Sequence, residues 1–250
     1  MILQALGKNC RKFKGVIGAI ELMEATTVSF DDLIDFSDIR RGAISTHKKY
    51  GEKTTYLAYQ AAYNWAWKAF LDLNISARKK NYLLNSLGRE IFAYGYGQCQ
   101  ELYWSKNKII PSKENYLSQT FDRVRFLSFN GPFRIGAILS GCSGKRLEYF
   151  EKAGSNLGMA YHLRGDYLNL FACCDDLGKP LADDIPSARM TLLSIGALER
   201  TKGVKRKILL SALGNKKLSK AKLKNAINII RESGAIDFNN NKIEGFAKNS

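Results

Sequence analysis

Asp31, Asp32 and Asp35, in the run Phe30-Asp31-Asp32-Leu33-Ile34-Asp35, are the side chains best placed to hold a cation. On a helix Asp31 and Asp35 stand one turn apart on one face, with Asp32 beside them. Three like charges at that spacing repel one another and are tolerated when solvated, capped or bound to cations. Magnesium prefers hard oxygen ligands and typically joins carboxylates to substrate phosphates. Directly downstream come Arg40, Arg41 and Gly42, then His47, Lys48 and Lys49. Carboxylates for a metal, followed by guanidinium groups for phosphate, are what the departure of a diphosphate requires, because both stabilise the charge on the leaving oxygens. An Asp-Asp-x-x-Asp run alone is commonly just a solvated helix end. Arg-Arg-Gly at this distance favours the metal–diphosphate reading.

The elements that must position these groups read as helices. Gly18–Phe30 is a mostly apolar helix that runs into the carboxylates. Tyr56–Leu73, rich in Ala, Tyr and Trp, reads as a core helix, with Trp65, Trp67, Tyr59 and Tyr63 as core packing. Asn81–Trp104, Glu114–Phe129 and Phe133–Leu139 repeat the helical period. Arg146–Phe171 is a long helix in which Gly154 and Gly158, one turn apart, allow a close neighbour. Ala188–Thr201, Lys205–Leu213 and Lys220–Ser233 follow, the last stopped by Gly234. Asp175–Ile185, with Gly178 and Pro180, reads as a loop of solvated acids. Strand signals are weak, and there are only 4 prolines in 250 residues, which suits long helices.

Composition bounds the partners. The net charge of +16 calls for an anionic partner or a lysine-rich solvated surface, and the densest basic stretch is Lys202–Lys224. No zinc-finger spacing or RNA-recognition signature is present, so no nucleic-acid partner is expected. Cys10, Cys99, Cys142, Cys173 and Cys174 are odd in number and irregular in spacing, which argues against a disulfide framework and for a reducing, cytoplasmic setting. No apolar run reaches the length of a membrane span, and no signal peptide is recognisable. The opening Met1-Ile-Leu-Gln-Ala-Leu-Gly reads more like the middle of a domain than its start.

Taken together, the ordered motifs resemble the trans-isoprenyl diphosphate synthases, and most closely the geranylgeranyl diphosphate synthases. Ile20-Glu21-Leu22, Asp31 to Asp35 and Arg40-Arg41-Gly42 look like that family's first aspartate-rich motif with its leader and tail. Gly97-Gln98-Cys99-Gln100-Glu101-Leu102-Tyr103-Trp104 and Gly136 to Gly141 fit the helices that follow. Gly158 to Asn169 occupies the place of the second aspartate-rich motif, and Gly178-Lys179-Pro180, Asp184, Arg189 to Leu192 and Ser233 to Ile236 continue in register.

The resemblance implies an all-α isoprenoid synthase fold, a helical bundle around a deep apolar cavity with the two aspartate motifs facing each other across its mouth. It implies a single domain over residues 1–250, short of the family's first helices, and assembly as a homodimer or as a heterodimer with a paralogous synthase. The reaction implied joins isopentenyl diphosphate to an allylic diphosphate with Mg2+ bound. Asp31, Asp32, Asp35 and Asp166 would be the metal ligands. Asp31, Asp35 and Arg40 would carry the chemistry. Arg40, Arg123, His162, Arg189 and Gln98 would contact substrate, and Arg41 would hold isopentenyl diphosphate. The small pair Thr26 and Thr27, one turn before Asp31, leaves room for a product of C20 or longer. Each buried CH2 of such a tail adds about 0.8 kcal/mol.

The departures from the family pattern concentrate on one substrate and one metal ligand. The early Gly-Lys-Arg motif for isopentenyl diphosphate has no counterpart. Glu24 stands where a histidine is common and would repel that ligand. Arg123 and Arg189 replace lysines, and His162 replaces a glutamine. Gly165 replaces the first aspartate of the second motif, leaving Asp166 and Asn169. Three readings follow: an active prenyltransferase with a geranylgeranyl-type product, a non-catalytic subunit of a heteromeric synthase, or a one-substrate enzyme working as terpene synthases do.

Overall fold

A computed structural model describes residues 1–124, 129–172 and 182–250. Cys173, Cys174, Asp175, Asp176 and Gly178-Lys179-Pro180 lie outside the described residues. Among the described residues strand occurs only as one antiparallel pair, β1 (Ile39–Arg40) and β2 (Ala43–Ile44). The rest is helix and turn, as an all-α fold requires. The helices are α1 (Ile2–Ala5), α2 (Lys14–Asp35), α3 (Thr46–Tyr50), α4 (Glu52–Leu71), α5 (Ala77–Asn107), α6 (Lys113–Val124), α7 (Asn130–Ser140) and α8 (Gly144–Phe171). They are followed by α9 (Leu192–Arg200), α10 (Gly203–Ala212), α11 (Lys220–Glu232) and α12 (Ala235–Lys248). The chain divides into two compact units, Met1–Phe92 with Arg125–Gly154, and Ala93–Val124 with Ser155–Ser250.

In the first unit α2 buries a stripe of Val16, Ala19, Met23 and Thr27, spaced three and four residues apart as one helix face demands. That stripe packs chiefly on α4. The expected core helix is corrected here: α4 buries only Thr55, Ala66 and Phe70, while Trp65 is 72% exposed and Tyr56 and Leu57 are exposed too. Tyr59 and Tyr63 are half-buried and stack, Tyr59 on Phe30 of α2. Arg134 on α7 ties this unit together, its Nη1 2.9 Å from Glu90 Oε1 and its Nε 3.0 Å from Glu151 Oε1. Glu90 and Arg134 are almost fully buried. Removing one member would strand an uncompensated charge.

The second unit is built around α9, in which every residue from Leu192 to Leu198 is buried. Leu193, Ala197 and Leu198 join Leu209, Ala226, Ile229 and Ile230 in one cluster, and Leu192 and Ile195 join Tyr116, Leu163 and Met190 in another. The helix begins at Leu192, not at Ala188. Thr191 caps it, its hydroxyl accepting from the Ser194 N–H while Ser194 reaches back to the Thr191 N–H. Ala188 has φ +59 and cannot belong to a right-handed helix.

The glycine spacing in α8 has the expected consequence. A Cβ on Gly154 would lie 2.7 Å from Asn130 Cα, and one on Gly158 would lie 3.3 Å from Val124 Cγ2. Gly165, further along α8, has nothing among the described residues within 4 Å of that position. The two sites therefore predict opposite signs in denaturant unfolding. Gly154→Ala should destabilise by about 1–3 kcal/mol through overpacking against backbone. Gly165→Ala should stabilise by roughly 1 kcal/mol through helix propensity alone.

Candidate functional site

The first cluster lies at the end of α2. The helix stops because Phe36 turns into the left-handed region, with φ +56, and its N–H bonds back to the Leu33 carbonyl. The chain then forms the short hairpin in which Arg40 pairs with Ala43. The two linking residues, Arg41 and Gly42, have φ +52 and +76, as a two-residue turn matched to strand twist requires. Gly42 in Arg-Arg-Gly is thus a backbone requirement that sets the two arginines in fixed relation. Strand β1 brings Arg40 Nε to 2.9 and 3.0 Å from the two oxygens of Asp32, and Nη2 also contacts Oδ1.

That pairing separates the three aspartates. Asp32 is 2% exposed and held by the Arg40 guanidinium, whereas Asp31 and Asp35 are half-buried. Asp32, expected with Asp31 and Asp35 as a metal ligand, is paired with Arg40 in this structure. The hydrogen bond to Asp32, reinforced by the charges of Asp32, Asp31 and Asp35, raises the Arg40 pKa above its ordinary value. Arg41 is exposed at the hairpin tip. Glu24 is half-buried on α2, and its pKa is raised by burial and by Glu21, with Arg41 pulling the other way. The carboxylate suspected of opposing isopentenyl diphosphate therefore lies within electrostatic reach of the arginine expected to bind that ligand.

The second cluster lies within the second unit. Gly97 on α5 admits α6 closely, since a Cβ there would meet Arg123 Cγ at 2.9 Å and the Gln119 carbonyl at 3.1 Å. Gln119 Nε2 donates to the Gly97 carbonyl at 2.9 Å. This approach sets Arg123 Nη1 on Glu101 Oε2. Arg189 takes the other oxygen, with Nε 3.0 Å from Glu101 Oε1, and its Nη1 lies 3.6 Å from Asp184 Oδ1. The reading of Asp184 as a solvated loop residue is corrected, for it is 5% exposed and its carbonyl accepts from the Arg189 N–H at 2.9 Å. Gln98 is buried on the same helix.

Asp166 is buried on α8 and accepts a hydrogen bond from the Tyr116 hydroxyl. His162, one turn earlier, has Nε2 3.8 Å from Asp166 Oδ1. Burial pushes the Asp166 pKa up to about 6. The Tyr116 hydrogen bond and the charges of Arg189 and Arg123 restrain the rise, and Glu101 adds to it. Asn169, expected as a survivor of the second motif, is buried with no partner for its amide among the described residues. Arg123, His162, Arg189 and Asp166 are thus brought into one network. Glu101 and Asp184 join it, and so does Tyr116, which the sequence did not single out. The available signal for Tyr116 was its spacing of seven from Arg123, two turns along one face of α6.

The donor chemistry decides how far a divalent cation fits. Among the described residues no three His, Cys, Asp or Glu side chains are grouped closely enough to hold a metal by themselves. Asp31 and Asp35 fit the other mode, in which magnesium takes one or two carboxylates and completes its shell from phosphates and water. The second cluster fits it poorly. Gly165 offers no side-chain oxygen, and the Asp166 carboxylate is held by a hydroxyl with its pKa raised to about 6.

Comparison with known proteins places this architecture. The sequence model of the polyprenyl synthetase family matches residues 1–230. The geranylgeranyl diphosphate synthase of Sulfolobus acidocaldarius is 31% identical over 236 residues, covering 93% of this chain and 70% of that protein. A short chain isoprenyl diphosphate synthase of Methanocaldococcus jannaschii is 29% identical, covering 86% and 64%. The chain therefore spans about two thirds of the length of these relatives. Among solved structures, geranylgeranyl pyrophosphate synthetase from Pyrococcus horikoshii superposes with a TM-score of 0.89 at 23% identity, covering 99% of this chain and 75% of the other. A Caulobacter crescentus polyprenyl synthase, solved with calcium and isoprenyl diphosphate, gives 0.88 at 24% identity, covering 99% and 74%.

The fold and the ordered motifs are those of an isoprenyl diphosphate synthase, a class of prenyltransferases. The chain belongs to the polyprenyl synthetase family. No helix among the described residues is long and apolar enough to cross a membrane.

Two measurements follow from this geometry. A buried acid with a raised pKa contributes stability that is complete below its unfolded value near 4 and is lost as pH rises through about 6. The unfolding free energy of the wild type relative to Asp166→Asn should therefore fall between pH 4 and 6.5 and then level off, as read by denaturant titration at each pH. Gly42→Val forces a β-branched residue into left-handed backbone and should cost about 1–2 kcal/mol, since that region disfavours a Cβ.

Proposed function

We propose that the protein condenses isopentenyl diphosphate with an allylic diphosphate to give a geranylgeranyl-type product. The observation that carries this reading is the pairing of an Asp31/Asp35 helix face with an arginine hairpin, in a chain of this family. Asp31 and Asp35 would hold magnesium, which when bound neutralises charge on the departing diphosphate. Arg40, kept in place by Asp32, would contact the allylic diphosphate, and Arg41 the isopentenyl diphosphate. Arg123, Arg189, His162 and Gln98 belong to the same proposal as substrate contacts, and Asp166 as a further, weaker metal ligand. We take residues 1–250 as one isoprenoid synthase domain that works as a dimer, in a compartment without disulfide chemistry.

Product length would follow from α2. Thr27 is buried and small, and the Thr26 hydroxyl bonds to the Leu22 and Met23 carbonyls of its own helix, at 2.8 and 3.0 Å. Neither side chain is bulky, which suits a C20 or longer chain.

A second reading has its own support. Gly165 lacks a carboxylate, and Arg123 and Arg189 are already matched by Glu101 and Asp184. A subunit that has ceded catalysis to a paralogous partner would tolerate both features. The deciding experiment incubates the purified chain with magnesium, farnesyl diphosphate and labelled isopentenyl diphosphate. Labelled C20 product supports the enzyme. A folded chain that leaves farnesyl diphosphate intact favours the subunit.

Within the enzyme reading, Asp31→Asn should lower kcat about 100–1000-fold, the scale expected for losing one preorganised charge-stabilising group. Gly165→Asp meets no clash with the described residues, none of which lies within 4 Å of its Cβ. It should raise the rate at limiting magnesium by about tenfold or more, the lower end of what even outer-shell partners do to metal affinity.

A further inference from the structure

The arginines proposed to hold a diphosphate in the second unit already hold an anion. Glu101 presents one carboxylate oxygen to Arg123 Nη1 and the other to Arg189 Nε, the latter at 3.0 Å. All three side chains are largely buried, with side-chain exposures of 15%, 13% and 23% for Glu101, Arg123 and Arg189. The packing at Gly97 fixes this arrangement, because α6 can bring Arg123 down onto α5 only where no Cβ intervenes. Asp184 adds a second, longer contact to Arg189 at 3.6 Å. Two guanidinium groups thus face two carboxylates, with buried Asp166 nearby, and the cluster has little net positive charge to offer an incoming anion.

We propose that Glu101 is an internal stand-in for diphosphate, so that ligand binding at Arg123 and Arg189 is an exchange of one anion for another. A planar carboxylate and a phosphate both satisfy a guanidinium fork, but a diphosphate carries more charge and more acceptor oxygens. It can displace Glu101 only by leaving that carboxylate without its partners in a half-buried place, which sets a cost against binding. Glu101 is therefore a specificity-determining residue acting through the two arginines. Monoanions do not repay the exchange, whereas polyanions do. The inference rests on the reading of Arg123 and Arg189 as diphosphate contacts.

Its sign distinguishes it from the alternatives. A residue that merely holds the arginines in position predicts weaker ligand binding when removed, and a purely structural ion pair predicts no change. The stand-in predicts tighter binding. The test is calorimetric titration of the purified full chain with inorganic pyrophosphate, with and without magnesium. Glu101→Gln, which keeps the shape and removes the charge, should bind pyrophosphate at least about tenfold more tightly than wild type, on the scale of one charge-assisted hydrogen bond. The gain should vanish in Glu101→Gln/Arg189→Gln. Should Glu101→Gln not fold, Glu101→Asp, whose carboxylate is drawn back from both guanidinium groups by one methylene, makes the same comparison. Equal or weaker binding in the folded variant overturns the proposal. If Arg189→Gln nevertheless weakens pyrophosphate binding in the wild type, only the role of Glu101 falls. If neither Arg123→Gln nor Arg189→Gln has any effect, the diphosphate reading of the cluster falls with it.

Discussion

A carboxylate taken partly out of water must find a positive partner, a hydrogen-bond donor or a proton, and the site-bearing parts of this chain are arranged around that demand. Asp32 meets it with Arg40, Glu101 with Arg123 and Arg189, and Asp166 with the Tyr116 hydroxyl and a raised pKa. Each solution links segments distant in sequence and fixes where the next group can stand. Because Asp32 is buried against the returning hairpin, Arg40 is held close to the end of α2. Because Glu101 is gripped from both sides, α6 and the segment before α9 are tied to α5. The Glu90–Arg134–Glu151 group does the same work in the first unit, where no substrate role is proposed for it.

The same demand separates the two clusters chemically. In the first, pairing leaves Asp31 and Asp35 as the aspartates of the motif that are not buried against Arg40, on a rigid helix of 22 residues. Two carboxylates are what magnesium asks of a protein when phosphates supply the remaining oxygens. In the second, the acids and arginines satisfy one another and the Asp166 pKa is raised. A glycine at Gly165 and self-neutralisation of the arginines are consistent with each other. Glu101 and Asp184 keep the buried arginines from standing unmatched.

Close backbone approach is the other constraint, and glycine supplies it at Gly97, Gly154 and Gly158. These positions look alike in sequence to Gly165, yet they differ in kind. The first three meet atoms of a neighbouring segment, while Gly165 meets none of the described residues. Packing among the described residues therefore does not require glycine at Gly165.

Much of the architecture could be read from residue order. The 3.6-residue period marked α2, α5 and α8, and the scarcity of proline fitted helices of that length. The motif series Asp31 to Asp35, Arg40-Arg41-Gly42 and Gly158 to Asn169 pointed to the family by resemblance. Local physics was enough for the helices and for the metal–phosphate chemistry of the first motif, since helical period, turn geometry and ligand type are set by neighbours in the chain. What needed the tertiary structure was every question of which charge meets which. Adjacent aspartates such as Asp31 and Asp32 are equivalent in sequence, and only the fold of the hairpin buries one of them. Asp184 reads as a solvated acid until the chain returns it to Arg189. Trp65 reads as core until α4 turns that face outward. Pairing and burial depend on contacts between residues tens of positions apart, and those distances exist only once the chain has folded.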